Sequence, residues 1–295
     1  MTDVSLSKRP VFMVSVLSLI LTLTAVGYYF YQKHTKTPKN TQINTKQLPV
    51  IAAKANLPKT PPAAEVLTEL FGVKTTAAKV NNAADQLSSL WFEQSFSQNK
   101  DNFHAVFVKS QTIDPDTKAV ADSHADGANI SVVVYKLVDK QWQFFSKQLN
   151  VGSFGAWGDV PETKTVPTLQ LSPDNIAFLI ASGSSGQGYT EEGKGLFSFN
   201  PKQKVWKDLG FVQTGGDNAG ACDDSPQPAD SLLSACWKFT GEITLTKTGK
   251  NPQYPDLLVI QKGTTSDDNN KVIPVSNRAY VFNGEQYAES GAESR

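Results

Sequence analysis

The sequence predicts a mainly β protein, in which an antiparallel β-rich domain follows one N-terminal transmembrane helix and a disordered linker. From Leu90 onward, apolar residues alternate with polar ones in short runs that are rich in β-branched and aromatic residues. Turn-forming residues separate these runs. Residues 11–31, far upstream, carry no charge and are mostly apolar. A helix of that length crosses the hydrocarbon core of a bilayer, which is about 30 Å thick.

Residues 11–31 are predicted to be an uncleaved signal anchor. Basic residues precede the segment, and the aromatic residues at 28–31 suit a membrane–water interface. The small residues at 25–27 also suit signal-peptide cleavage, so removal of the segment is the alternative. With an anchor, residues 1–10 form a cytoplasmic tail. We then expect a single-pass inner-membrane protein whose C-terminal domain lies in the periplasm.

Residues 32–62 are predicted to be a linker between the membrane and the domain. Lys, Thr, Asn and Pro dominate this stretch, and no hydrophobic period persists in it. Such a composition buries too little apolar surface to offset the entropy of ordering the chain. Its prolines should keep the linker partly extended.

The charge balance limits the class of partner. The chain has 28 basic and 28 acidic residues, so its net charge is zero. Binding to nucleic acid requires a basic surface, and we therefore expect no nucleic-acid partner. The expected partners are the inner membrane, through residues 11–31, and another envelope protein.

Residues 63–295 are predicted to form the exported β-rich domain, which opens with a short helix. Val66, Leu67 and Leu70 lie at helical spacing within residues 63–71, directly after two prolines. Strands follow, with turn residues between them. Their predicted ranges are 90–96, 103–113, 130–138, 143–151, 176–182, 195–199, 205–212, 238–246, 257–261 and 278–282.

Three predicted hairpins carry an aromatic residue on each arm. The aromatic pairs are Tyr135 with Trp142, Phe199 with Trp206, and Tyr280 with Tyr287. The Asn283-Gly284 dipeptide between the last two is typical of a type I′ hairpin turn. Cross-strand aromatic pairs of this kind contribute up to about 1 kcal/mol each.

One of these hairpins resembles part of a known repeat. Residues 199–201 (Phe-Asn-Pro), together with Trp206, resemble the outer hairpin of a kelch-type propeller blade. The resemblance implies a degenerate propeller-like domain. The aromatic hairpins are fewer than the blades of even a small propeller. We therefore expect an antiparallel β-sandwich or meander first and a propeller-like domain second.

Cys222 and Cys236 are the only cysteines, and we predict a disulfide between them. Two cysteines that close a short loop in an exported domain usually form one. The chain-entropy model gives about 3 kcal/mol of stabilisation for a loop of this length. Two free buried thiols or part of a metal site are the alternatives. A zinc site needs four ligands, and no third cysteine exists.

Three segments are candidate functional sites, and none of them is assigned a catalytic residue. The Gly/Ser-rich segment after the strand at 176–182 is predicted to be a flexible loop, either a long strand connection or a contact site for a ligand or partner. The Gly- and Asp-rich segment that enters the disulfide is a candidate for binding a partner or a cation. A third segment weakly resembles the start of an oxygen-rich calcium loop. Their residues are Ser184, Ser185, Gln187 and Tyr189 in the first; Asp217, Asn218, Asp223 and Asp224 in the second; and Asp122, His124 and Asp126 in the third.

These features favour a membrane-anchored periplasmic binding protein without evident catalytic activity. An immunity-type or inhibitor-type protein is one specific form of this class. The sequence has no Gly-x-Ser-x-Gly nucleophile elbow and no Lys-Ser/Thr ending to its glycine-rich segment. No cofactor is expected. One alternative is an envelope glycan- or peptidoglycan-processing enzyme that uses carboxylates. The other is a sensor of a cation or a small ligand.

Overall fold

The computed structural model describes residues 58–82, 86–121, 127–223, 235–246, 251–267 and 270–290. The predicted cytoplasmic tail, the transmembrane segment at 11–31 and all but the end of the linker lie outside these residues. Within the described ranges, no helix is long and apolar enough to cross a membrane.

The described part of the chain contains one α-helix, α1, followed by strands. The helix spans Ala63–Phe71, as the sequence predicts. The strands are β1 (Lys79–Asn81), β2 (Gln86–Gln98), β3 (Asp101–Thr112), β4 (Ala128–Val138), β5 (Gln141–Phe154), β6 (Thr168–Ser172), β7 (Asn175–Gly186), β8 (Tyr189–Asn200), β9 (Val205–Asp217), β10 (Lys238–Leu245), β11 (Leu257–Ser266), β12 (Val272–Pro274), β13 (Arg278–Phe282) and β14 (Tyr287–Glu289).

The strands form two antiparallel sheets. Sheet I has the order β1-β2-β3-β4-β5. Sheet II has the order β14-β13-β11-β10-β9-β8-β7-β6 and forms a half-barrel, with β12 paired to β11. Nearly every strand pairs with its neighbour in the sequence, because short connections favour adjacent strands. The prediction of a mainly β, antiparallel domain is confirmed.

An aromatic core lies between the two sheets. Alternate residues of β3 enter it from sheet I, and alternate residues of β7 and β8 enter it from sheet II. Phe178 of β7 is fully buried, with its ring centroid 5.1 Å from that of Phe96, 5.6 Å from Phe107 and 5.2 Å from Trp206. Phe96 meets Phe178 edge-to-face and the other two rings are tilted, so aromatic attraction adds to the burial of apolar area.

The outer face of sheet I is covered by α1. Val66, Leu67 and Leu70 are the buried residues of the helix, and they pack in one cluster with Val106 and Val133 of the sheet. The helix ends at a glycine with φ of 72°, whose N–H donates to the carbonyl of residue 68. This left-handed C-terminal cap is a common way to end a helix.

Two glutamine side chains each pair with the backbone C=O and N–H of one residue, as the backbone of a neighbouring strand would. The Gln94 carboxamide donates to the carbonyl of Val166 (2.9 Å) and accepts from its N–H (2.8 Å). The Gln148 carboxamide does the same with Trp206, at 3.0 and 2.8 Å. Both residues belong to sheet I, so each carboxamide joins that sheet to backbone groups outside it, those of Val166 before β6 and of Trp206 in β9.

The three hairpins that carry aromatic residues are confirmed as β4–β5, β8–β9 and β13–β14. Phe199 pairs directly with Trp206, and their rings stack at 4.9 Å. In the other two hairpins the aromatics are not direct partners. Tyr135 pairs with Phe144 because the two-residue turn at 139–140 places Trp142 opposite Leu137, and Tyr287 pairs with Phe282. Equal spacing along the chain therefore does not give equal pairing across a hairpin.

Candidate functional site

The Gly/Ser-rich segment forms the outer half of a β-hairpin, and the prediction of a flexible loop is wrong. Strand β7 continues to Gly186, and its ladder with β8 runs without a register shift to the pair Gly186–Tyr189. Gly and Ser have low β propensity, but β8 is held on its other side by β9, which fixes the hairpin by tertiary pairing. Gln187 and Gly188 form the turn with φ of 54° and 84°, as a type I′ turn requires.

The hairpin turn lies against the loop that leads into the disulfide. The N–H of Gly220 donates to the carbonyl of Gly188 at 3.0 Å. A Cβ atom at Gly188 would come within 2.4 Å of the Gly220 backbone, so the contact requires glycine. The ring of Tyr189 lies 6.3 Å from that of Trp237. The structure therefore brings two of the predicted sites together, and residues 187–189, 218–222 and 237 are called the tip surface below.

The predicted disulfide between Cys222 and Cys236 is present, with a Cα–Cα distance of 4.9 Å. The side chain of Asn218 joins the same two chain segments by hydrogen bonds. It is fully buried, donates to the carbonyl of Ala235 (3.1 Å) and accepts from the N–H of Trp237 (2.7 Å). The loop is thus held by a covalent bond and a bidentate carboxamide.

The acidic candidates of this segment differ in their surroundings. Asp217 ends β9, accepts from the N–H of Ala219 (3.2 Å) and lies 3.9 Å from the ammonium of Lys238. Asp223 directly follows Cys222, and Asp224 lies outside the described residues. Asn218 positions the loop, whereas Asp217 is partly exposed at its edge.

The weak candidate metal ligands Asp122, His124 and Asp126 lie outside the described residues. Among the residues that the structure describes, no group of three His, Cys, Asp or Glu side chains is placed to hold a metal ion.

A cleft of about 680 Å³ borders the outer half of the β7–β8 hairpin. One wall is formed by β7 and β8, and it includes Ser184 and Ser185 of the predicted ligand segment. The opposite wall is the segment that follows β5. Gln187 and Tyr189 lie beyond the cleft, at the turn. The lining residues are Gly155, Ala156, Asp159, Val160, Pro161, Ala181, Ser182, Gly183, Ser184, Ser185, Thr190, Glu191, Glu192, Gly193, Lys194 and Thr214.

The wall after β5 is a tight turn that the sequence reasoning missed. Ala156 and Asp159 exchange backbone hydrogen bonds of 3.0 Å, and the turn residues Trp157 and Gly158 have φ of 57° and 67°. A tryptophan in this conformation is uncommon. Trp157 is 64% exposed, between the cleft residues Ala156 and Asp159 in the sequence. In the sequence, this turn was indicated only by Trp157-Gly158-Asp159 between two predicted strands.

The pKa of Asp159 in the cleft suits an ionised carboxylate that binds a positive charge better than a general acid. Partial burial raises the pKa of its carboxyl, but the ion pair with Lys109 and the hydrogen bond from the N–H of Val160 hold the pKa below its ordinary value. A carboxyl that serves as a general acid needs a raised pKa. Asp159 is therefore suited to remain an ionised acceptor.

Comparison with models of known protein families gives no match, and no curated protein matches the chain.

Proposed function

We propose that this protein is a non-catalytic binding module of the bacterial envelope. Residues 11–31 would hold it at the inner membrane, and the β-rich domain would engage another envelope protein in the periplasm. An immunity-type or inhibitor-type protein that blocks a toxin is one specific form of the proposal. The observation that carries it is the tip surface, where the hairpin turn and the disulfide-closed loop meet.

The rigidity of the tip surface supports a binding role. The Gly220–Gly188 hydrogen bond, the Cys222–Cys236 disulfide and the buried Asn218 carboxamide hold it together. A preformed surface loses less conformational entropy on binding than a mobile loop does. The disulfide also supports export, because disulfides persist in oxidising compartments.

The side chains of the tip surface support a protein partner. Tyr189 is 47% exposed, and Trp237 packs beside it while stacking on Phe239 at 6.0 Å. Tyrosine and tryptophan supply a large share of the binding energy at protein interfaces, since they bring large areas at low entropic cost. Tyr189 lies at the paired end of the β7–β8 hairpin, where its ring is accessible to another molecule.

The test is in-membrane crosslinking of the full chain, followed by comparison of a Tyr189→Ala variant with a Phe144→Ala control. Phe144 lies on β5 and is also 47% exposed, so the two variants remove aromatic rings of equal exposure. We expect a stoichiometric envelope protein whose yield falls about tenfold or more in Tyr189→Ala and stays unchanged in Phe144→Ala. An equal yield from both variants, or no crosslinked partner, would overturn the proposal.

A further inference from the structure

The outer half of β7 has a free hydrogen-bonding edge. Strand β6 pairs with β7 only as far as Phe178, and the N–H of Leu179 donates to the carbonyl of Pro167 at 2.9 Å. Backbone groups on an antiparallel strand alternate between its two sides. The N–H and C=O groups of Ala181, Gly183 and Ser185 therefore point to the same side as those of Leu179, away from β8. No strand among the described residues pairs with that side.

The sequence explains why this edge is left open. Pro167 has no N–H to extend the ladder. The next residue upstream, Val166, has both of its backbone groups bound to the Gln94 carboxamide of sheet I. The chain therefore leaves sheet II at this point and crosses to sheet I. The resulting gap is the cleft, with β7 on one wall and residues 155–161 on the other.

The edge is accessible and has little side-chain bulk. Ala181, Gly183 and Ser185 are exposed and line the cleft. Unpaired N–H and C=O groups on such an edge are a template for an added strand. A stretch of about five residues, at roughly 3.3 Å each, would pair along it.

The charge of the cleft limits the chemistry of that strand. Asp159, Glu191 and Glu192 line it with Lys194. Because Asp159 is already paired with Lys109, the two glutamates outnumber the remaining ammonium of Lys194. A second copy of this chain would bring the same carboxylates against themselves, because a twofold edge-to-edge contact joins identical patches. A basic strand would instead meet opposite charge, which favours association and register.

We propose that the free edge of β7 binds an extended, positively charged segment of the partner protein by strand addition. This inference rests on the proposed function and specifies how the partner is recognised. The segment pairs with the outward groups of Ala181, Gly183 and Ser185. Its basic side chains face the carboxylates of the cleft.

The probe for the test is a capped octapeptide of alternating lysine and threonine, added to the full chain in detergent. Hydrogen exchange at the amides of Ala181 and Ser185 should slow at least about tenfold when the peptide is bound. The same peptide methylated on alternate backbone nitrogens is the control, since it keeps the charge and loses the donors. A peptide in which glutamate replaces lysine tests the charge requirement and should not bind.

A matched pair of variants tests the edge from the protein side. Ser185→Pro removes one outward N–H at an edge position, where proline is tolerated, while Ser185→Ala removes only the hydroxyl. We expect the lysine–threonine peptide to bind Ser185→Pro about tenfold more weakly and Ser185→Ala as well as the unaltered chain. The exchange measurement uses the unaltered chain, so it does not depend on the folding of either variant.

The outcomes separate this inference from the proposed function. Equal binding of the methylated peptide, or no slowing of exchange, would overturn strand addition. A dimer that dissociates in Ser185→Pro without peptide protection would also overturn it and assign the edge to self-association. If a partner crosslinks equally to Ser185→Pro and Ser185→Ala, the inference fails and the proposed function stands. If the peptide protects the edge but no envelope partner is found, strand addition stands and the proposed function fails.

Discussion

Both halves of strand β7 pair with β8, but they differ in burial and in composition. Residues 175–180 are all buried, and Phe178 and Ile180 enter the aromatic core between the sheets. Residues 181–186 are Gly- and Ser-rich and almost entirely exposed, although they pair with β8 just as regularly. The first half is covered by sheet I, whereas the second half borders the cleft and ends at the tip surface.

The comparison shows that one sheet can be stabilised by two different means. Burial of a large apolar side chain contributes about 1.5–3 kcal/mol, and this is the source of stability in the inner half. The outer half has no comparable core, and a disulfide and a buried carboxamide hold its neighbouring loop in place. Most side chains of the outer half are consequently exposed, which leaves their surface available for binding, although a side chain at Gly183 would collide with the carbonyl of Glu191.

The largest expected effect is in the inner half. Phe178→Ala should lower the free energy of unfolding by about 3–5 kcal/mol, because it empties a site among three other rings. Ser182→Ala, farther along the same strand, is the control and should change stability by less than about 0.5 kcal/mol. Denaturant unfolding measures both. Similar losses in the two variants would mean that the halves do not differ.

Removal of the disulfide should act on the outer half. In the chain-entropy model, Cys222→Ser with Cys236→Ser costs about 3 kcal/mol of unfolding free energy. Hydrogen exchange should rise first at the tip surface, since the core between the sheets does not contact the bridge. A uniform rise across both sheets would contradict the separation of the two halves.

Loss of the Gln94 carboxamide should loosen the wall of the cleft. Gln94→Ala leaves both backbone groups of Val166 without their partner, which costs about 1–3 kcal/mol. Gln143→Ala on β5 removes an exposed carboxamide and should be nearly neutral. Calorimetric melting of the two variants checks the difference. Equal melting temperatures would show that Gln94 does not hold this segment to sheet I.

The smallest expected effect is a pH dependence in the layer between sheet I and α1. Burial lowers the pKa of His104, and the nearby Glu93 carboxylate only partly offsets this. The unfolded chain then binds a proton below about pH 6.5 that the folded chain does not. The free energy of unfolding should therefore fall as the pH drops below that value. Urea unfolding of His104→Gln should lack this component; an unchanged pH profile would contradict the assignment.

Local patterns in the sequence predicted much of the fold. The helix at Ala63–Phe71 and the strand near residues 130–138 follow from spacing and propensity. The last hairpin forms as expected, but its type I′ turn at Asn283-Gly284 does not: Asn283 bonds to Gln286, and of these turn residues only Gly284 has a positive φ. The disulfide follows from the cysteine count. Each of these signals lies within a few residues of the structure that it predicts or, for the disulfide, involves the only cysteines available.

The site was less predictable because it depends on contacts between distant residues. Gly and Ser at 183–186 have no strand signal of their own, and β8 and β9 supply the pairing. The cleft exists because Gln94 binds Val166, which lies 72 residues away. The turn around Trp157 packs Gly158 against the carbonyl of Ala121, again a contact without a local signal.

The paired carboxamides also make the molecule sensitive to deamidation. Gln94, Gln148 and Asn218 each use an NH₂ donor and a C=O acceptor at once. Hydrolysis of the side-chain amide replaces the donor with a second acceptor and adds a negative charge. At Asn218 that charge would be fully buried and would face the carbonyl of Ala235. A single deamidation there would disrupt the tip surface while leaving the disulfide bond intact.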